Sequence, residues 1–125
     1  SQAEAVRDAK ANAILNNLHN VEFLTGPAEK LLPGFLKDNR DIKLLVVDPP
    51  RAGMHLKAVD SLRQIDPRKI VYVSCNPTTL ARDIALILPL GYEIGRVCPV
   101  DMFPHTYHVE TVVELRRVGG SGLAV

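Results

Sequence analysis

No stretch of this sequence is apolar for long enough to cross a bilayer. The longest hydrophobic runs, at residues 44–47 and 84–88, fall far short of the roughly 20 residues that a spanning helix needs. The first ten residues, SQAEAVRDAK, mix both charges and hold no apolar block, so they do not read as a signal peptide. Cysteine is scarce. Cys75 and Cys98 are the only two, too few for the disulfide framework of a small secreted domain. The expectation is an intracellular, cytoplasmic protein with reduced thiols. An excess of one charge is also missing: 15 Lys and Arg against 14 Asp and Glu leave a net +1. No global basic field advertises nucleic acid, although a local patch remains open. There is no internal repeat, and the only low-complexity stretch is the GGSG at residues 119–122, which reads as part of a flexible tail over residues 119–125.

What is present is ordinary globular material. Hydrophobic residues make up 46% and charged residues 23% of the 125, which excludes a disordered tail. A chain of this length makes one domain and buries roughly two thirds of its unfolded surface. Apolar residues at three- and four-residue steps (Ala5, Val6, Ala9, Ala13, Ile14, Leu18) predict a helix over residues 2–18. The chain thus opens in a helix with no strand before it. Residues 21–25 read as a short strand, and residues 28–36 as a helix around Pro33 and Gly34.

Residues 42–48 (IKLLVVD) and 69–74 (KIVYVS) are near-continuous branched apolar runs. Such runs suit strands buried on both faces of a parallel sheet. Helices are predicted at residues 56–64 and 79–88, and two further strands at residues 92–100 and 109–118. Strand and helix alternating at this spacing is the rhythm of a doubly wound α/β sheet. The last two strands are joined by a segment too short for a parallel crossover, so they are expected to be an antiparallel pair.

Ligands in open α/β sheets gather at the carboxyl ends of the parallel strands. That rule selects Asp48-Pro49-Pro50-Arg51 and Ser74-Cys75-Asn76-Pro77, each a polar group followed by the strand-stopping proline. If the two strands are parallel neighbours, both clusters face one crevice. An Asp at a strand end is as often a cap or turn former. Cys75 lies beyond the apolar run between two polar residues, so its thiol is expected to be accessible; Cys98 sits inside a strand, where core packing is the expected role. Residues 101–110 (DMFPHTYHVE) are dense in imidazole and carboxylate. Cys75, His105, His108 and Glu110 are conceivable metal ligands, but no CxxC or HExxH spacing organises them, and no metal is expected.

Three segments, DPPRAG at residues 48–53, IVYVSCNPTT at 70–79 and VDMFPHTYHVE at 100–110, together resemble the RNA (uracil-5-)-methyltransferase family. This family methylates C5 of uridine in ribosomal or transfer RNA with S-adenosylmethionine. The resemblance implies a Rossmann-like class I S-adenosylmethionine-dependent methyltransferase fold, truncated on its N-terminal side. Family members run to several hundred residues, with an OB-like RNA-binding domain and often an iron–sulfur region upstream. Their cofactor glycine loop and ribose-binding acid would precede Ser1, so residues 1–118 look like the C-terminal part of the catalytic domain. Poor cofactor binding by the isolated chain is expected, as is self-association through the sheet edge that missing strands would leave.

The resemblance assigns roles residue by residue. Cys75 matches the nucleophile that adds to C6 of the uracil, and Glu110 matches the base that removes the C5 proton. Burial of Glu110 against Phe103 and Tyr107 would raise its pKa toward neutrality, and the helix opening at Pro77 would favour the Cys75 thiolate. Asp48 matches a cofactor contact near the methionine moiety. Arg51 shapes its loop or meets RNA, and Pro27 stands near the family's adenine position. Lys69, Arg82, Arg96, Arg116 and Arg117 are candidate phosphate contacts. Two other readings stay open: a non-catalytic folding or interaction module, and a DNA cytosine-type methyltransferase. In the latter a Pro precedes the nucleophile, whereas Ser74 does so here.

Overall fold

The computed structural model describes residues 1–38, 41–101 and 109–118. The expected tail, together with His105, His108, Phe103 and Tyr107, lies outside them. Helix α1 (Gln2–Leu15) begins with a capping box, in which Ser1 accepts from the Glu4 amide and the Glu4 side chain reaches back to residue 1. Val6, Ala9 and Ala13 turn inward, while Ile14 and Leu18 of the expected stripe are exposed. Helix α2 (Ala28–Asp38) continues through Pro33. Then follow strand β1 (Leu44–Val47), helix α3 (Leu56–Ile65), strand β2 (Lys69–Ser74) and helix α4 (Pro77–Ile87). A 3₁₀ turn at Leu88–Leu90 leads through Gly91, left-handed at φ 105°, into β3 (Tyr92–Asp101) and β4 (Val109–Arg117).

The four strands form one sheet in the order β1-β2-β4-β3. β1 and β2 are parallel neighbours, Leu44 opposite Lys69 and Val47 opposite Tyr72. β4 lies antiparallel to both β2 and β3, with an irregularity between Ile94 and Val97. The α/β architecture and the final antiparallel pair agree with the sequence reading. β4 inserts between β2 and β3, a feature of strand order that no local pattern encodes.

Alternation sorts the side chains onto two faces. Ile70, Tyr72 and Ser74 of β2 and Val113 and Leu115 of β4 share the face covered by α3 and α4, and all are buried. With Leu62, Leu80, Ile87 and Tyr92 most of them make the core. The other face is open. Leu44 and Val46 of β1 are 52% and 59% exposed, which corrects the expectation of a strand buried on both faces. Residues 21–25 form no strand, because an isolated extended segment has no neighbour to take its backbone hydrogen bonds. Cys98 is exposed rather than packed in the core; it pairs with Val112 on the uncovered face. No helix among the described residues is long and apolar enough to cross a membrane.

Two tyrosines are anchored in this core. Tyr92 donates to the Pro67 carbonyl at 2.5 Å, and burial raises its pKa. Burial, and then the neighbouring Asp83 carboxylate, hold the Tyr72 hydroxyl protonated well above the usual phenol range. Because the unfolded phenols ionise first, this contribution to stability is whole below about pH 10 and is lost as pH rises through the raised folded-state values. In a native alkaline titration followed at the tyrosinate absorbance, Tyr72→Phe and Tyr92→Phe are expected to remove none of the signal appearing near pH ~10. A measurable loss of that signal in either variant would contradict the burial assigned to it.

Candidate active site

Two loops leave the carboxyl ends of β1 and β2 side by side. In the parallel register Val47 stands opposite Tyr72, so Asp48 follows at the level of Val73, one strand away from the β2 end. Across the other edge of β2 the last antiparallel pair is Ser74 with Thr111. The pairing stops there: Glu110 is the β4 residue just before that pair, and Cys75 is the first residue past the end of β2. Adjacent strands lie ~4.8 Å apart, and Asp48, Cys75 and Glu110 stand at the ends of three neighbouring ones.

Local chemistry shapes the turn that carries Cys75. The Ser74 hydroxyl is buried, donates to the Asn76 carbonyl at 2.9 Å and accepts from the Asn76 amide at 3.0 Å. Asn76 then caps α4, its Oδ1 accepting from the Thr78 amide at 3.0 Å, with Pro77 at the first helical position. The chain thus turns sharply at Cys75, and the thiol is left exposed just ahead of a helix N-terminus. Glu110 is half-buried, and Asp48 is exposed.

The β1 loop is held by α4 rather than by its own strand. Asn76 Nδ2 and Thr79 Oγ1 donate to the Arg51 carbonyl at 3.2 and 3.0 Å. Arg82 Nη2 donates to the Ala52 carbonyl at 2.8 Å, and the Met54 amide donates to Asp83 Oδ2 at 2.7 Å. Gly53 turns left-handed between them at φ 83°. A cleft of about 860 Å³ opens along this loop, walled by Val47, Pro49, Pro50, Met54 and Leu56, with Asp48, His55 and Arg82 as polar groups of its lining. Its size and largely apolar walls are those of a small-ligand site. Cys75 and Glu110 do not line it.

Four of the candidate phosphate contacts have protein partners. Arg82 pairs with Asp83, Arg116 and Lys69 with Glu114, and Arg117 with Asp66. The Arg116 guanidinium holds the Glu114 carboxyl below the usual carboxylate range. Among the described residues no three or more His, Cys, Asp or Glu side chains gather as a metal site. Asp83 and Tyr72 were not singled out from the sequence. Asp83 does carry a legible signal: with Leu80 and Ile87 it occupies the inward stripe of α4, a polar residue at a core step of the helical period.

The sequence pattern of the family described as tRNA (Uracil-5-)-methyltransferase matches residues 3–118. An uncharacterized RNA methyltransferase of Oceanobacillus iheyensis is 49% identical over 112 residues, 90% of this chain and 24% of the relative. One from Enterococcus faecalis is 50% identical over 114 residues, 91% of this chain and 25% of the relative. The chain therefore spans about a quarter of the length of these relatives. Among solved structures, the tRNA (uracil-54, C5)-methyltransferase of Pyrococcus abyssi, crystallised with S-adenosyl-L-homocysteine, superposes with a TM-score of 0.72 at 38% identity. That match covers 92% of this chain and 27% of the other. The METTL16 methyltransferase domain, at 18% identity and a TM-score of 0.62 over 89% of this chain and 46% of that one, shares the fold.

Proposed function

Because this chain belongs to the RNA (uracil-5-)-methyltransferase family, whose members depend on S-adenosylmethionine, we propose that it supplies the catalytic strand ends of an enzyme that methylates C5 of a uridine in ribosomal or transfer RNA. What supports this reading is that Cys75 and Glu110 immediately flank the last β2–β4 pair, Ser74 with Thr111. A nucleophile and a base on adjacent strand ends can engage one planar ring between them.

C5 of uracil is a poor nucleophile, and the Cys75 thiolate raises its electron density by bonding to C6. The target base must first be unstacked and turned out, since C6 is inaccessible to a thiol inside a helix. S-adenosylmethionine, when bound, supplies the electrophilic methyl group. Once methylated, C5 carries both the new methyl and its original proton. Glu110 takes that proton, the electron pair re-forms the C5–C6 double bond, and the Cys75 thiolate is expelled unchanged. Asp48, a carboxylate lining the cleft, would face the methionyl end of the cofactor.

The test uses RNA containing 5-fluorouridine, incubated with cofactor and the natural polypeptide that carries this segment. Fluorine at C5 cannot leave as a cation, so a methylated protein–RNA adduct accumulates and migrates slowly on a denaturing gel. Cys75→Ala is expected to abolish the adduct. An adduct that survives in Cys75→Ala would remove Cys75 from the mechanism. Its absence with wild type on ribosomal and transfer RNA alike, despite cofactor binding, would favour the non-catalytic reading.

A further inference from the structure

The mechanism leaves one buried acid unused. Asp83, on α4, is fully buried and accepts hydrogen bonds from three parts of the fold. Its Oδ2 takes the Met54 amide of the β1 loop at 2.7 Å and the Tyr72 hydroxyl of β2 at 2.5 Å. Its Oδ1 takes Nε and Nη2 of Arg82 at 3.1 and 3.0 Å. The same Arg82 Nη2 reaches the carbonyls of Ala52 and Met54 at 2.8 and 3.4 Å. One carboxylate thereby ties β2, which ends just before Cys75, to the loop that begins at Asp48.

A charge in a core is expensive to desolvate, and an apolar side chain of similar volume commonly serves stability as well or better. What an apolar residue cannot do is hold a backbone amide, a phenol and a guanidinium at fixed separations. Gly53 fits that demand: the space where its side chain would stand is occupied by Arg82 and Asp83. We propose that Asp83 is a positioning residue for methyl transfer, setting the distance between the Asp48 loop and the Cys75 turn through Met54, Tyr72 and Arg82. This rests on the functional reading above. Asp83 touches neither ring nor cofactor; it acts through the loop.

The test is Asp83→Asn in the natural polypeptide that carries this segment. Asn keeps one oxygen for Met54 and Tyr72 but turns an amide donor toward the guanidinium, so Arg82 releases the loop carbonyls. The KM for S-adenosylmethionine is expected to rise roughly tenfold and kcat to fall about 10- to 100-fold, the scale of a small misplacement of reacting groups. Alkylation of Cys75 by iodoacetamide, read by peptide mass spectrometry, is expected to stay within about twofold of wild type. Its turn is built by hydrogen bonds among Ser74, Asn76 and Thr78, none of which involves Asp83. A merely structural role would instead loosen the turn, so faster Cys75 alkylation accompanying the lost activity would overturn the proposal. So would an unchanged KM and kcat. Should Asp83→Asn fail to fold, Tyr72→Phe removes one donor and leaves Met54 and Arg82 in place. A smaller rise in KM with unchanged alkylation is then expected, and an unaltered KM would overturn the proposal. Wild-type turnover separates the two levels: none on any uridine RNA defeats the functional reading and the positioning role together, whereas turnover with an indifferent Asp83→Asn defeats the positioning role alone.

Discussion

Glu110→Gln is expected to halt turnover after methyl transfer and leave the enzyme covalently attached to its methylated RNA. The substitution keeps the shape and the hydrogen-bonding oxygen of the side chain but removes its capacity to accept a proton. Addition of Cys75 to C6 and methylation of C5 need no base at that position, so both proceed. The adduct then waits for a proton acceptor that has been removed. Positioned general bases contribute about 10²- to 10⁴-fold, and the turnover rate is expected to fall by that factor. On ordinary uridine RNA with cofactor, Glu110→Gln should show a slow-migrating methylated complex on a denaturing gel, which the wild type does not accumulate. Turnover within a few-fold of wild type would transfer the base role to another group. The side chain stands half-buried at the start of β4, one register step from the last pair with β2.

Gly53→Ala is expected to be the most damaging single-methyl addition in the β1 loop. The backbone there is left-handed, at φ 83°, where a side chain is strained in any surroundings. The space is also taken: a Cβ would lie 2.5 Å from Arg82 Nη2 and 2.7 Å from Asp83 Oδ2. Arg82 can swing its half-exposed guanidinium away, but Asp83 is buried and held by Tyr72. Relief therefore requires the loop to move off α4, breaking the hydrogen bond from Met54 to Asp83. Strain of about 1–3 kcal/mol together with a lost buried hydrogen bond gives a destabilisation of roughly 2–4 kcal/mol. For a chain of this size that corresponds to a fall in Tm of roughly 8–15 °C. Gly34→Ala is the matched control. Gly34 lies inside α2 with open space where its Cβ would stand, and Ala there is expected to stabilise by up to ~1 kcal/mol. Calorimetry of the two variants should show shifts of opposite sign; a Gly53→Ala protein as stable as wild type would mean that the loop does not depend on its clamp.

The errors in reading the sequence share one cause. Residues 21–25 have the composition of a strand, but a strand exists only where a neighbour takes its hydrogen bonds, and none lies alongside. The run through Leu44–Val47 is apolar throughout and so reads as buried on both sides. Its alternate residues are instead half-exposed, since α3 and α4 cover only one face. Cys98 was correctly placed in a strand, and its exposure follows from the same uncovered face. Periodicity reports which residues share a side; it does not report what lies over that side.

The alternation of helices and strands, the stops at Pro49 and Pro77, the helix cap at Asn76 and the accessible Cys75 are local properties, and all are legible in the chain. They depend on backbone sterics, side-chain branching and short-range hydrogen bonds, which act within a few residues. The motifs also brought Asp48, Cys75 and Glu110 forward as a set. Their assembly is another matter. Glu110 and Cys75 come to flank the same terminal pair because β4 enters between β2 and β3 in one particular register, and the Asp48 loop is held by Asp83 from 29 residues beyond Met54. Pairings of that span are selected by the combined burial of Ile70, Tyr72, Val113 and Leu115 against two helices, a cooperative outcome of packing that no window of sequence contains.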